Sequence, residues 1–477
     1  MIERLFRVTE RGSTVSRELR GGLVTFMAMA YIIVLNPLIL GSITPGDPSA
    51  KADALGGILP VAQVAAVTAL VAGVMTILFG VVANYPFAIA TGLGINTLLA
   101  VTIAPLMSWP EAMGLVVING VIIVILALTG FRTAVFNAVP TELKTAIAVG
   151  IGAFIALIGL VDSGFVRRLP DAANTTVPVG LGTGGSIASW PTFVFVVGLI
   201  IVGVLVARGV RAGILIGVVA NTIIAIVVEA IVRVGPGSPT NPGGWSLAVP
   251  AIPAQIVGLP DLSLVGQVSL GAFTRLDIIT VVLLIFTLVL ANFFDAMGTL
   301  TGLGRQAGLT DSDDKLPDVG KALVVEGAGA VAGGVGSASS NTIFVESAAG
   351  IAEGARTGLA NVLTGVLFLL AMFFTPLYSI VPVEAAAPAL VVVGALMFRQ
   401  ITSVSLDDLR TAIPVFLTIT VMPFTYSIAN GIGAGFVSYV ALAAATGRAR
   451  QVHPLMWVVA VLFVGYFGVG PLRELLG

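Results

Sequence analysis

The chain has 477 residues, of which 57% are hydrophobic and only 10% charged, with a formal net charge of −1. A soluble chain carries about 25% charged residues, so there is too little polar surface here to coat a water-soluble globule, and lipid must be much of the solvent. The small net charge argues against a nucleic-acid partner, the absence of cysteine excludes disulfides and thiolate metal sites, and the single histidine, His453, argues against a histidine metal centre.

The first residues, 1–19, are polar and basic with no apolar core, unlike a cleavable signal peptide. A helix needs about 20 mainly apolar residues to cross the hydrocarbon core. Stretches of that kind run over 20–43, 61–83, 112–131, 143–161, 190–208 and 213–233. They resume after a long loop at 278–304, 319–336, 356–377, 380–398, 410–429 and 432–446. Two more, 86–104 and 338–354, are apolar but interrupted by Gly, Pro, Asn, Ser and Glu, which brings the expected total to fourteen. A last run, 456–470, is short enough to be re-entrant or interfacial and stays outside that total. With the N-terminus in the cytoplasm, fourteen spans put most of the 23 Lys and Arg residues on the inner side, Arg132 and Lys315 among them. Only Lys51, Arg167, Arg168, Arg233 and Arg275 fall outside, with Arg473 open, as the positive-inside rule requires.

The two halves echo each other. Val139-Pro-Thr-Glu142 is matched by Val381-Pro-Val-Glu384, Gly152 by Gly394 and Asn119 by Asn361, all at one offset. Gly213-Ile-Leu-Ile-Gly pairs with Gly435-Phe-Val-Ser-Tyr further on. Seven spans per half is an odd number, so the second repeat must be inverted, a signature of secondary transporters. The expected fold class is therefore all-α: a polytopic membrane protein of fourteen spans in a 7+7 inverted repeat. The third and tenth spans are its broken ones. Each begins with a short extended stretch, Pro86–Ala90 and Asn341–Val345, that could pair antiparallel with the other, and each then turns into a Gly/Ala-rich helix. Irregular backbone at membrane depth is tolerated only where protein or a cavity satisfies it, and in such folds the substrate site lies there.

Ionisable groups within spans are functional candidates by default. Asp295 lies mid-span, Glu346 opens the second broken helix, as a ligand or as a helix cap, and Glu326 lies in the ninth span, in a structural or a proton-relay role. Asn96 lies in the first broken helix, and Thr299 shares the helix face of Asp295. Two carboxylates facing one cavity disfavour anions and favour a neutral or cationic ligand rich in N–H donors. With no histidine in the membrane, a carboxylate is the natural proton carrier, and the candidates are Asp295, Glu346 and Glu326. No cofactor is expected, and no GxxxxGK[ST] loop for ATP is present.

The motifs Thr25-Phe-Met-Ala-Met-Ala-Tyr-Ile-Ile-Val-Leu-Asn-Pro37, Gly92-Leu-Gly-Ile-Asn96, Asn292-Phe-Phe-Asp-Ala-Met-Gly-Thr299 and Val345-Glu-Ser-Ala-Ala-Gly-Ile-Ala-Glu-Gly-Ala-Arg-Thr-Gly358 carry a resemblance. The chain resembles the AzgA-like adenine/guanine/hypoxanthine permeases of the second nucleobase:cation symporter (nucleobase–ascorbate transporter) family over nearly its whole length. The resemblance implies a core domain (20–135 and 278–378) and a gate domain (136–240 and 379–447). The segment 1–19, an extracellular loop at 241–277 and a C-terminal segment 448–477 lie outside both. It also implies purine–proton symport at the plasma membrane and a homodimer through the gate domains. It puts substrate contact at Asn96, Asp295 and Glu346, with main-chain groups at Val345 and with Phe344 as a neighbour. The chain departs from the usual family pattern at Asn292, Ala296, Thr97–Leu99 and Ala338–Asn341. A uracil, xanthine or anion carrier of the same fold remains a second reading, and a channel or membrane enzyme a third.

Overall fold

The computed structural model describes residues 2–42, 51–168, 179–182, 185–238, 240–253, 255–310, 316–378 and 380–476, and it is overwhelmingly helical. The first apolar stretch folds as two stacked helices, α1 (Val15–Met29) and α2 (Ile32–Leu40). Thr14 starts α1 ahead of the apolar run by accepting the N–H of Arg17. The first half continues with α3 (Val61–Ala83), β1 (Ile89–Thr91), α4 (Leu93–Leu98), α5 (Trp109–Leu128), α6 (Phe131–Ala138), α7 (Thr141–Asp162), α8 (Trp190–Ala207) and α9 (Gly213–Val232). The second half holds α10 (Ile278–Gln306), α11 (Val319–Val335), β2 (Asn341–Ile343), α12 (Ser347–Ala352) and α13 (Gly358–Ala371). It ends with α14 (Val383–Phe398), α15 (Leu409–Phe424), α16 (Ile428–Ala445) and α17 (Pro454–Leu476). Among the described residues, nine helices are long and apolar enough to cross a membrane, so the protein is a multi-pass membrane protein.

Several expected boundaries move for local reasons. The break between the last two expected spans falls at Thr425–Ser427 rather than after 429, because Tyr426 adopts a left-handed backbone (φ 53°) and Ser427 caps α16. The expected extended stretch Pro86–Ala90 gives a strand only at Ile89–Thr91, since proline cannot donate to a ladder. The apolar run 456–470 belongs to a continuous helix of 23 residues. Arg132, placed in a loop by its charge, is fully buried on α6. Lys315 lies outside the described residues.

The helices pack as two groups. In the first, α5 lies on α11, α3 on α13, and α1 on α12 and α13. In the second, α7 lies on α14 and α15, α8 on α9 and α14, and α15 on α16. The groups meet mainly where α10 touches α7 and α16, and where α4 touches α7. Glycines set the close approaches. Gly73 and Gly80 of α3 face α13, and Gly327 and Gly334 of α11 face α5; a methyl group at any of the four would collide with the facing helix. Gly152 of α7 and Gly394 of α14 face each other in the same way.

Near the first group's centre β1 pairs antiparallel with β2, Ala90 opposite Thr342. Both strands are fully buried, so their backbone groups need protein partners. Gly92 N–H donates to Ser340 O (2.9 Å) and Phe344 N–H to Ala88 O (3.0 Å), which extends the ladder at each end. The Thr76 hydroxyl donates to Ile89 O (2.9 Å) and accepts from Ile89 N–H (3.0 Å). Asn361 Nδ2 donates to Tyr85 O and Phe87 O, and Asn36 Nδ2 to Ala338 O. These buried amides and hydroxyls therefore hold the broken backbone in place.

Candidate functional site

Two helices begin beside the paired strands, α4 after Gly92 and α12 after Glu346. A cavity of about 400 Å³ opens in front of them, within the size range of small-molecule sites. Its inner end is lined by Tyr31, Gly92, Thr342, Phe344, Val345, Glu346 and Asp295. From there it follows one stripe of α10, through Thr299, Gly302 and Leu303 to Gln306. The facing wall comes from the second group: Ile147, Ile151 and Ile155 of α7, then Val393, Leu396 and Met397 of α14. Among the described lining residues none is basic.

Glu346 stands at the N-cap position of α12, yet its side chain makes no capping bond. Its Oε1 instead accepts a hydrogen bond from the Tyr31 hydroxyl. Asp295 sits one helical turn before Thr299, whose hydroxyl donates to Asp295 O (3.2 Å). The Asp295 side chain lies beside Thr342. Gly92 leaves room for this group, because a Cβ there would stand 3.0 Å from Thr342 Cγ2 and 3.5 Å from Asp295 Oδ2. Val345 is 43% exposed, toward the cavity, whereas Phe344 is buried. The Phe344 N–H is taken by Ala88 O.

The structure thus brings Asp295, Thr299, Phe344, Val345 and Glu346 to one cavity and leaves Asn96 and Glu326 out of its lining. Asn96 is fully buried one turn into α4, with Oδ1 accepting from the Thr91 hydroxyl (2.6 Å), so it ties the new helix to the strand before it. Glu326 is fully buried on α11 and pairs with Arg132 at 2.5 Å. The same guanidinium reaches Phe293 O (3.4 Å) and stacks over the Phe293 ring. This ion pair therefore braces the turn of α10 that carries Asp295. Reasoning from residue type did not single out Tyr31, Gly92 or the facing wall. Tyr31 and Gly92 lay within quoted motifs, but an aromatic ring and a glycine in an apolar helix carry no charge signal.

Breaking the pair from one side leaves a buried charge without its partner, at a cost of about 3–5 kcal/mol. Glu326→Ala should therefore lower the thermal midpoint of the purified protein strongly. Arg132→Met combined with Glu326→Leu should restore most of it, because both charges leave together. A double variant as unstable as the single one would contradict this account.

Comparisons with known proteins give the family and the fold. The model of the Permease family, Xan_ur_permease, matches residues 16–433. The chain is 38% identical over 470 residues to the guanine/hypoxanthine permease PbuG of Bacillus subtilis, covering 97% of this chain and 98% of that one. It is 36% identical over 464 residues to the adenine permease AdeQ of Escherichia coli, covering 97% and 95%. Among solved structures it is similar to the transmembrane domain of the cyanobacterial bicarbonate transporter BicA. That match has a TM-score of 0.58 and 15% identity and covers 90% of this chain and 97% of that one. At that identity the likeness concerns the fold alone.

Proposed function

The chain belongs to the Permease family, in the branch of adenine, guanine and hypoxanthine permeases, and we propose that it imports purine nucleobases by proton symport. It is a transporter and not an enzyme. The observation that carries the purine reading is the cavity, where two carboxylates, Asp295 and Glu346, stand beside the strand pair with no basic residue in the described lining. A carboxylate only accepts hydrogen bonds when ionised, so the cavity suits a neutral ring with N–H edges and disfavours an anion. In this reading Glu346 and Asp295 bind the base, with the Val345 backbone and Thr299 as neighbours and Phe344 behind them. Asn96 shapes the helix start. Asp295 and Glu346 load the proton, and Glu326, held by Arg132, acts on Asp295 through its charge.

The same proposal takes the two packing groups as core and gate domains. It counts the broken and shorter apolar elements as spans, which gives fourteen. Internal symmetry supports a 7+7 inverted repeat. Exchanging the halves turns the α3–α13 contact into α11–α5, while α7–α14 and β1–β2 map onto themselves. Gly73 and Gly80 correspond to Gly327 and Gly334 in that exchange. With the N-terminus cytoplasmic and the chain in the cell membrane, the cavity reaches from mid-depth toward the cytoplasm, along the last turns of α10 and α14. Rocking of core against gate would then expose the site alternately. A homodimer through the gate helices follows from the family resemblance.

The test is uptake of radiolabelled hypoxanthine into proteoliposomes. Unlabelled adenine, guanine and hypoxanthine should compete, uracil should compete less, and an inward proton gradient should stimulate uptake. No competition by any purine up to millimolar levels would reject the purine reading. Purine uptake indifferent to the gradient would reject symport alone. Strong competition by uracil would favour the second reading, a carrier of smaller bases.

A further inference from the structure

We propose that Tyr31 is a positioning residue of the substrate site: its hydroxyl holds the Glu346 carboxylate and thereby sets how sharply the site discriminates among ligands by their N–H donors. The inference rests on the reading of Glu346 as a substrate ligand.

Tyr31 occupies the junction between α1 and α2. The helix tightens there, since Ile33 N–H bonds Ala30 O and Val34 N–H bonds Tyr31 O, both three residues back. The ring is fully buried and the residue lines the inner end of the cavity. Its hydroxyl is the donor to Glu346 Oε1, across 315 residues of sequence. A second feature makes this reach possible. The helix α12 presses against α1 where Gly350 meets Gly21 and Thr25, an approach that a Cβ at 350 would block. That seats Glu346, one turn earlier, against the junction.

The consequence is chemical. An ionised carboxylate has about four lone-pair sites and, with no capping bond to its own helix and its own backbone N–H as a local partner, Glu346 would otherwise keep part of its freedom about its last bond. A donor fixed on Oε1 removes that freedom. The remaining acceptor sites then point in set directions, and a ligand gains full hydrogen-bond strength only if its N–H groups match them. Tyr31 makes no ligand contact in this account. It acts through Glu346, from the first span, on a residue of the tenth.

The test uses the purified full-length chain and equilibrium binding of hypoxanthine and its 1-, 3-, 7- and 9-methyl derivatives, each of which lacks one ring N–H site. Tyr31→Phe keeps the ring and its packing and removes only the hydroxyl. It should weaken hypoxanthine binding about three- to tenfold, the cost of ordering on binding a carboxylate that Tyr31 no longer holds. It should also shrink, severalfold, the penalty that wild type imposes on the most disfavoured methyl derivative. That penalty is a ratio measured within one variant, so it does not depend on how much of the variant is folded. Equal weakening of every ligand would reveal a merely structural role and overturn the proposal, as would an unchanged affinity. Wild-type binding by Glu346→Gln would instead overturn the assignment of Glu346 and the present inference with it.

Discussion

Glu346→Ala is expected to abolish measurable purine binding while the protein still folds. The carboxylate lines the cavity and is bonded across the fold by the Tyr31 hydroxyl, so the variant gives up one interhelical hydrogen bond, about 1–3 kcal/mol of stability, and keeps the rest of the fold. Hydrogen bonds to a charged group contribute about 1.5–3 kcal/mol each. A carboxylate that accepts two ligand N–H groups is thus worth a loss of at least a hundredfold in affinity on removal. Isothermal titration of the purified variant with hypoxanthine, beside a thermal melt, separates lost binding from lost folding. Wild-type affinity in a stable Glu346→Ala protein would refute the role. Asp295→Asn offers a different outcome, because it keeps the shape of the group and removes only its charge and proton. It should retain part of the binding and lose the stimulation of uptake by a proton gradient.

Much of this was legible in the residues because membrane helices declare themselves. Twenty apolar residues in a row have few other uses, and α3, α8 and α9 lie within a residue or two of where hydropathy put them. Charges in spans were equally legible. Asp295 and Glu346 stood out because a carboxylate at membrane depth needs a reason, and both line the cavity. The burial of Arg132 was not legible in that way. A basic residue near a span end counts as a loop charge until its partner is known, and Glu326 lies 194 residues away in sequence. Asn96 illustrates the opposite limit. Its place in a broken helix was evident, but whether its amide faces the cavity or Thr91 depends on a rotation that sequence does not encode. The facing wall was not legible at all, because Ile151 and Leu396 resemble any other aliphatic residues in a helix.

The likeness to a bicarbonate transporter's membrane domain concerns the fold alone, so the solute has to be argued from the residues of the site. Two short helices begin beside the strand pair, and at α12 the first N–H groups are already taken, Ser347 by Phe344 O, Ala348 by Val345 O and Ala349 by Glu346 O. In this chain Glu346 occupies the N-cap position of one half-helix, and Asp295 stands close to Gly92 at the start of the other. Negative side chains at helix N-termini are favourable, so each carboxylate stands where the start of a helix suits its charge. A shared architecture leaves the choice of solute to such side chains, which is why function is argued from the site and not from the fold.

Cross-linking Lys51 to Asp162 is expected to stop transport. Lys51 belongs to the first helix group: its N–H donates to Ser42 Oγ (2.7 Å), its Nζ to Leu38 O (2.5 Å), and its carbonyl accepts from Trp109 Nε1 (3.3 Å). Asp162 closes α7 in the second group. Their side chains meet at 3.4 Å, each about a quarter exposed. The cavity runs past the first turns of α7, so this ion pair joins the groups at the end away from its mouth. If the groups move as proposed, the pair must part whenever the site faces that end. The chain contains no cysteine, so Lys51→Cys with Asp162→Cys gives the only thiols available to a short, reducible bifunctional reagent. Cross-linked protein should still bind hypoxanthine from the open end, yet its uptake should fall at least tenfold and recover on reduction. Either single cysteine treated alike should transport normally. Undiminished uptake in the fully cross-linked protein would mean that the two groups need not separate there, and the moving parts would have to be sought elsewhere.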